Sequence, residues 1–452
     1  MAALLVAAAA VFSQTSLAGD RLGHGAAPGQ ASVSVFATGF NNPRGLTFGP
    51  DGNLYVAEGG LGGSNSTVGQ CTQASGATAP YTGSSNDPVL GGRISQVSPD
   101  GVVTTVVDAL PSSQTSAATG GLVSGVSSVA FVGDKLYALL AGAGCSHGVP
   151  DVPNGVIRVH SDGTWSLVAD LSAFQAANPV AAPDLEDFEP DGTWYSMISI
   201  DGALYPMDSN HGELDKVTQD GTISRVIDIS AAVGHIVPTA LAVPSSDNKD
   251  DDSGSSSDGN GSDGQGSDGQ SSDAQSSDGQ SSDSQSSDSH SSDSHGSDGH
   301  RSHHHGSHGR GPERHRFGGN DSGGHGSDRG STISIANLGL FDPTDQAGDE
   351  SVYQLDPNGN FQLQTSGLEK VLGLAFRDGD LYALEMSTSA GEPTPGTGAL
   401  VRVRDDGPPE TIASGLMFPT GLTVGPDGAF YVSDHGFGFG AGAGDVLRIT
   451  TP

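Results

Sequence analysis

One unit of sequence recurs along this chain, and the recurrence limits the folds that the chain can adopt. Residues 39–59 read GFNNPRGLTFGPDGNLYVAEG and residues 415–436 read GLMFPTGLTVGPDGAFYVSDHG, so the two ends of the chain carry near copies. Weaker copies occupy residues 121–140, 194–208 and 367–385. Repetition at this period is typical of solenoids and propellers.

A second phrase accompanies each copy and consists of two apolar runs around an Asp-Gly or Asn-Gly turn. These phrases span residues 93–107, 156–169, 214–227, 352–364 and 400–413. Short apolar and polar alternation, punctuated by Gly, Pro, Asn and Asp, predicts strands and hairpins with no helical period. Two hairpins make a four-stranded blade, and radial repetition of such blades is a β-propeller.

We count six blades when one interruption is interpreted as an insertion. Residues 238–243 (PTALAV) match the inner strand at 419–424 (PTGLTV), but the GPDG turn that should follow is missing. A tract at 245–330 stands in its place, after which residues 332–337 resume as the second strand. The sequence therefore predicts an all-β, six-bladed propeller with a low-complexity insertion in blade four.

The two ends of the repeat array predict how the ring closes. Residues 445–450 (DVLRIT) have no partner strand after them, and residues 32–38 (SVSVFAT) have none before them. Pairing these two segments would close the propeller and leave no exposed sheet edge. The alternative is an open array with frayed ends, and we expect closure.

The remaining segments predict export. Residues 1–18 contain a short apolar run that ends in the small-residue pattern SLA, which is typical of a signal peptide, although no Lys or Arg precedes the run. Residues 19–31 form a linker, and the propeller comprises residues 32–244 and 331–452. We expect a protein that is secreted, extracellular or associated with the cell envelope.

The charge of the chain excludes one class of partner. The formal net charge is −35 and only 18 residues are Lys or Arg, whereas binding to nucleic acid needs many basic contacts with phosphate. No other stretch is long and apolar enough to span a membrane. We expect a monomer that binds an unknown small molecule or an extracellular protein.

The insertion carries a five-residue repeat that runs from GSDGQ to SSDSH and GSDGH between residues 261 and 300. A segment with almost no apolar residue buries no core, so the composition predicts disorder. Its clustered Asp and His residues are able to hold divalent cations weakly. The alternative, which we favour, is a solvated linker that expanded by repeat slippage.

The chain has two cysteines, and their positions predict a pair. Cys71 and Cys145 each follow the second strand of a blade, and the two blades are neighbours. Both thiols should therefore lie in adjacent loops on one face, where an oxidising compartment favours a disulfide. Two free thiols are the alternative.

The repeats resemble the ScyD/ScyE family of proteins. The units PRGLTFGPDGNLYVAE and PTGLTVGPDGAFYVSDHGFG, the phrase LGLAFRDGDLYALEMSTSAGEPTPGTG at 372–398, and PTALAV continuing to SIANLGLF carry the resemblance. It extends from about residue 32 to residue 450 without the tract, and its GPDGxLYV phrase is shared by NHL-type and gluconolactonase-like six-bladed propellers. The resemblance implies an exported six-bladed propeller without an established catalytic activity.

The propeller pattern also predicts where a site should lie. The first strand of each blade lines the channel and the second runs back, so the start of one and the end of the other meet on the same face. That face carries the long loops, Arg44, His435 and one strand-end residue per blade: Glu58, Leu140, Asp208, Asn337, Glu385 and Asp434.

The strand-end residues suggest a metal site at the channel mouth. Carboxylate and amide oxygens are the ligands that Ca²⁺ prefers, and they occur in five blades: Glu58, Asp208, Asn337, Glu385 and Asp434. In gluconolactonase-like propellers, a divalent metal at this position polarises a lactone and activates water. The alternative is that each side chain caps a loop by accepting hydrogen bonds from the main chain.

Three functions remain open at this point. The first is a secreted binding module that recognises a small molecule or an extracellular partner through its loop-rich face. The second is a metal-dependent hydrolase of the lactonase type that uses the channel-mouth carboxylates. The third is an extracellular matrix protein whose tract captures cations.

Overall fold

Four-stranded antiparallel sheets dominate the computed structural model of this protein. The structure describes residues 31–75, 80–115, 123–244, 331–339, 348–404 and 407–452. All of them fall within one structural unit, residues 1–251 with 329–452. The predicted signal peptide, nearly all of the predicted linker and the predicted disordered tract lie outside the described residues.

The elements follow one another in chain order. The first are β1 (Ser32–Phe40), β2 (Pro43–Phe48), β3 (Leu54–Glu58), β4 (Thr82–Ser84), β5 (Gly92–Val97), β6 (Val103–Leu110), β7 (Ser112–Gln114) and β8 (Val123–Ser124). Next come β9 (Val126–Val132), β10 (Lys135–Leu140), β11 (Gly155–Val159), β12 (Trp165–Asp170), α1 (Leu171–Ala177), β13 (Trp194–Ile200), β14 (Ala203–Asp208), β15 (Glu213–Val217), β16 (Ile223–Asp228) and α2 (Ile229–Val233).

The second half of the chain contains strands alone among its described elements. These are β17 (Pro238–Ala242), β18 (Ile333–Asn337), β19 (Glu350–Leu355), β20 (Phe361–Leu368), β21 (Val371–Arg377), β22 (Asp380–Glu385), β23 (Gly398–Arg402), β24 (Glu410–Leu416), β25 (Gly421–Val424), β26 (Phe430–Asp434) and β27 (Gly444–Thr450).

These strands form the blades of a β-propeller. The described four-stranded sheets are β2-β3-β5-β6, β9 to β12, β13 to β16, β17 to β20, β21 to β24, and β25-β26-β27-β1. Their first strands contact one another in the order β2, β9, β13, β17, β21 and β25, and β25 also contacts β2. In the last sheet, β1 lies antiparallel to β27, with Ser32 opposite Thr450 and Phe40 opposite Gly444.

The GPDG units fold as tight turns that are held by a tyrosine. Asp51 accepts hydrogen bonds from the main-chain N–H two residues later and from the Tyr55 hydroxyl at 2.9 Å. Asp427 repeats both contacts, with Tyr431 at 3.2 Å. Gly52 has φ +78°, a conformation that favours glycine. The shared spacing of Asp, Gly and Tyr therefore has one structural cause in both copies.

The strands on either side of the tract are partners in one hairpin. Strands β17 and β18 pair antiparallel, with Pro238 opposite Asn337 and Ala242 opposite Ser334. All ten of their residues are buried, because β17 and β18 are the two inner strands of the fourth sheet and neighbouring sheets pack against them. The chain between Ala242 and Ile333 thus replaces one hairpin turn.

Hydroxyl groups link each of three first strands to the next one in the circle. A Ser or Thr near the start of a strand donates to a main-chain carbonyl of its neighbour, at 2.5 to 2.8 Å. The pairs are Ser127 with Trp194, Thr239 with Val371, and Thr420 with Pro43. These bonds explain why PTALAV and PTGLTV share a threonine.

Two elements depart from the sequence-based prediction. The short helices α1 and α2 follow the outer strands of the second and third sheets, where no helix was predicted. Asp170 caps α1 by accepting from the N–H of Ala173 at 2.8 Å, and Asp228 caps α2 in the same way. A three-stranded sheet, β4-β7-β8, also forms within the loops.

No helix in the described part of the chain has the length and apolar character needed to cross a membrane.

Candidate functional site

A cavity of about 200 Å³ lies at the loop-rich end of the lumen, and all the blades contribute to it. We call it the mouth cavity. Its inner wall consists of the residue at one equivalent position near the start of each first strand: Arg44, Ser127, Tyr195, Thr239, Leu372 and Thr420. Its outer wall includes the residue that directly follows the second strand in several blades: Ala141, Ser209, Leu338 and Met386.

Loops complete the wall of the mouth cavity. Tyr81, just before β4, and Val123 of β8 both line it, so the small sheet β4-β7-β8 positions part of the wall. A disulfide between Cys71 and Cys145, with Cα atoms 6.3 Å apart, joins the first-blade loop to the second-blade loop. Phe437, from the loop after β26, lines the cavity as well.

The cavity lining is mainly apolar and aromatic. Tyr81, Tyr195 and Phe437 supply rings, and aliphatic side chains and Met386 supply most of the remaining surface. Within the described residues, the lining contains no Asp, Glu or His. Arg44 is the one charged side chain among the described lining residues. This chemistry suits a ligand with an apolar body.

Arg44 is held rigidly by main-chain carbonyls. Its guanidinium donates to the carbonyl of Gly436, and it donates to the carbonyl of Val123 at 2.7 Å. The side chain is only 7% exposed, and it forms no ion pair with any described carboxylate. Burial lowers the pKa of Arg44, but a guanidinium stays charged in proteins.

Both tyrosines that line the cavity are uncharged. Burial raises the pKa of Tyr195 to about 12. Burial, together with the nearby Glu189 carboxylate, raises the pKa of Tyr81 far above its ordinary value. The Tyr81 hydroxyl donates to Glu189 at 2.9 Å, and His147 lies 3.4 Å from the same carboxylate behind the cavity wall. Neither phenol therefore neutralises Arg44.

Tyr195 forms the floor of the mouth cavity. Its hydroxyl donates to the carbonyl of Thr420 at 3.1 Å, although β13 and β25 are not neighbours in the order of first-strand contacts. This hydrogen bond therefore crosses the lumen. A larger cavity of about 480 Å³ lies on the other side and shares Tyr195 and Thr420 with the mouth cavity.

The predicted strand-end ligands cap loops. Four of them accept a hydrogen bond from a main-chain N–H in the loop that leads into the first strand of their own blade. The pairs are Glu58 with Asn41 at 2.6 Å, Asp208 with Thr193 at 3.1 Å, Glu385 with Glu369 at 3.0 Å, and Asp434 with Met417 at 2.8 Å. Asn337 accepts instead from the N–H of Ser351 at 2.8 Å.

Two of these acids have strong additional partners. Glu58 also accepts from Arg93 at 2.7 Å and from Ser95 at 2.5 Å. Asp208 lies 2.6 Å from the ring nitrogen of His211. Burial alone raises the pKa of Asp208, but the His211 charge and several hydrogen bonds outweigh burial and lower it. Both carboxylates are therefore committed to contacts within the protein.

Glu385 and Asp434 are also engaged in contacts within the protein. Burial raises the pKa of Glu385 to about 7, so this group carries a proton in part of the population near neutral pH. Asp434 lies 3.1 Å from Nδ1 of His435, and this hydrogen bond raises the pKa of His435. His435 itself does not line the mouth cavity.

The structure gives the predicted ligands other contacts, and the metal site stays a prediction. In the described part of the chain, no group of three or more His, Cys, Asp or Glu side chains is close enough to hold a metal. Arg44, which we placed on the same face as these carboxylates, contacts main-chain carbonyls. The loop-capping alternative accounts for the contacts of Glu58, Asp208, Asn337, Glu385 and Asp434.

Arg44, a predicted site residue, lines the cavity, whereas the strand-end residues of four blades lie one position before the cavity residues of the outer wall. Side chains alternate between the two sides of a strand, so the residue after each predicted ligand faces the other way. Ala141, Ser209, Leu338 and Met386 directly follow Leu140, Asp208, Asn337 and Glu385. In two of these blades the signal was an apolar residue, Leu338 or Met386, directly after an amide or acidic one.

Comparison with known proteins finds weak similarities. No family model and no curated protein matches the chain. A Thermus thermophilus oxidoreductase described as a glucose dehydrogenase is 14% identical, with a TM-score of 0.46 over 93% of this chain and 100% of that one. A Xanthomonas campestris gluconolactonase is 9% identical, with a TM-score of 0.45 over 93% and 90%.

A third solved structure is similar to the same degree. The aldose sugar dehydrogenase of Streptomyces coelicolor is 12% identical, with a TM-score of 0.44 over 94% of this chain and 100% of that one. At these low similarities, the activities of those proteins carry no argument about this chain. The topology and the cavity define a β-propeller with a mainly apolar cavity at one end of its lumen.

Proposed function

We propose that this protein is an exported, six-bladed, closed propeller of the ScyD/ScyE type that binds a small molecule in the mouth cavity. The circular order of first-strand contacts and the pairing of β1 with β27 support the closed ring. The two GPDG units and the phrase LYALEMST support the resemblance to that family. The signal-peptide pattern supports export.

The composition of the mouth cavity carries the proposal. Small-molecule sites are concave and mostly apolar, with a few polar groups that orient the ligand. The mouth cavity combines aromatic and aliphatic walls with the single charge of Arg44. A rigid ring of strands holds these side chains, and a disulfide restrains the covering loops. Such a preformed site binds without a large ordering cost.

The lining favours binding over the hydrolase alternative. A metal-dependent hydrolase needs oxygen or nitrogen ligands and a group that moves protons. Among the described lining residues, no carboxylate or imidazole is available for either task. The cation-capturing alternative depends on the tract, which lies outside the described residues.

The experiment blocks the cavity and measures binding of two aromatic probes, benzoate and benzyl alcohol, by titration calorimetry. Ser124→Trp places a large ring at the cavity wall and should abolish binding of both probes. Ser166→Trp, on the exposed outer strand β12, is the matched control and should bind as wild type does. If wild type binds neither probe, or if both variants bind equally, the proposal fails.

A further inference from the structure

Among the described residues, the lining of the mouth cavity contains no anionic group to balance the charge of Arg44. The guanidinium is more than nine-tenths buried, and its two acceptors are neutral carbonyls. Burying a cation without an anion is costly, because water no longer solvates the charge. Tyr81 and Tyr195 keep their protons, so they do not supply a negative charge.

We propose that the ligand of the mouth cavity is a small carboxylate with an apolar body, whose anionic group binds Arg44. This inference rests on the proposed function and specifies its ligand class. The carboxylate supplies the missing negative charge. The aromatic and aliphatic walls contact the rest of the ligand.

A purely structural role does not explain why this position carries a charge. Arg44 connects the loop after β26 to strand β8 through two carbonyls. A neutral amide side chain has two N–H donors and is able to bond two carbonyls without burying a charge. The guanidinium adds a charge and three more N–H donors, which are the groups that recognise a carboxylate.

The geometry prepares Arg44 for this contact. Two carbonyls fix the plane of the guanidinium, so little side-chain entropy is lost when an anion binds. The neighbouring hydroxyls of Ser127, Thr239 and Thr420 already donate to main-chain carbonyls. Among the described residues of the inner wall, Arg44 is thus the strong hydrogen-bond donor that is still available to a ligand. The low dielectric of an apolar cavity strengthens its attraction for an anion.

The experiment compares three probes that share one aromatic ring and differ in charge. Benzoate, benzyl alcohol and benzylammonium are titrated into wild-type protein by calorimetry at low ionic strength and neutral pH. Benzoate should bind at least about tenfold more tightly than benzyl alcohol, because a hydrogen bond to a charged group is stronger than a neutral one. Benzylammonium should bind most weakly.

Variants at Arg44 distinguish the effect of its charge on probe binding from an effect on folding. Arg44→Gln keeps two donors for the carbonyls and should remove the preference for benzoate while benzyl alcohol binding is retained. Arg44→Lys keeps the charge and should retain part of the preference. Arg402→Gln, on a half-exposed arginine that pairs with Asp380, is the control and should behave as wild type does. Melting temperatures establish that each variant folds.

The outcomes distinguish the two proposals. If wild type binds benzyl alcohol as tightly as benzoate, the carboxylate inference is overturned while the proposed function stands. If no probe binds, the proposed function fails and the inference fails with it. If Arg44→Gln does not fold, the wild-type probe series and Arg44→Lys still decide: equal affinities across the three probes overturn the inference.

Discussion

Asp215 of β15 is fully buried, and neither of its carboxylate oxygens has a hydrogen-bond partner among the described residues. Burial raises its pKa to about 8, and the neighbouring Glu213 carboxylate contributes to the rise. Glu213 is paired with Arg225. The third blade therefore contains an acid that keeps its proton at neutral pH, and this residue contributes to the pH dependence of the stability.

The first prediction is that the protein becomes less stable as the pH rises. The folded-state pKa of Asp215 lies above the unfolded value near 4, so the stabilisation is complete below about pH 4 and is lost as the pH rises through about 8. The melting temperature of the wild-type protein should fall between about pH 5 and about pH 9. Asp215→Asn should reduce this slope.

Thermal melts across a pH series check this prediction. Asp100→Asn, at an exposed turn, is the control and should keep the wild-type slope. Identical slopes for wild type and Asp215→Asn would show that Asp215 does not carry the effect. A loss of stability toward acid pH in this range would contradict the sign of the predicted dependence.

At the scale of elements, the hairpin of β17 and β18 shows how the fold tolerates the tract. The pairing of Pro238 with Asn337 and of Ala242 with Ser334 matches the first hairpin of the other blades. The entropy of closing a flexible loop grows only logarithmically with its length. The strand pairing, rather than the connecting segment, therefore determines this part of the sheet.

The second prediction is that the tract can be removed without loss of the fold. Joining Val243 to Thr332 through Gly-Pro-Asp-Gly recreates the turn of the near-copy units, and the melting temperature should be equal or higher because the loop is shorter. A Gly-Ser linker as long as the segment it replaces is the control and should melt as wild type does. A large fall in melting temperature for the short turn would contradict the prediction.

The sequence predicted the elements better than the site. Near copies of the GPDG unit specify strands and turns locally, which is why Asp51 and Asp427 make the same contacts. The hydrogen-bond partners of a strand-end side chain depend instead on the loop that it meets. The contacts of Arg44 join residues far apart in the chain, Val123 and Gly436, so no local pattern reveals them.

At the scale of the whole molecule, the last blade draws its strands from both ends of the repeat array. Strand β1 supplies its outer strand, and Phe40 and Ala37 of β1 are buried. Without β1, strand β27 would present an unpaired edge, which is unfavourable and prone to pairing with other chains. The proposed ring closure therefore makes the stability of all the blades depend on one terminal strand.

The third prediction concerns the removal of β1. A chain that begins at Asn41 should melt lower by roughly 5 °C or more than a chain that begins at Ala31, because buried apolar surface and strand pairing are lost. Differential scanning calorimetry of both chains measures the difference. A synthetic peptide of residues 31–40 should restore part of the loss by pairing with β27. Equal melting temperatures would count against closure by this strand.

The hydrogen bond from Tyr195 to the Thr420 carbonyl also has a kinetic meaning. Because this hydrogen bond crosses the lumen beside the mouth cavity, the proposed ligand would enter and leave from the loop side. Tyr81 and Phe437 are on loops that line the cavity at this end. Slowing the motion of these loops should lower the rate constants of ligand binding and ligand release by the same factor. The rates then change while the affinity does not.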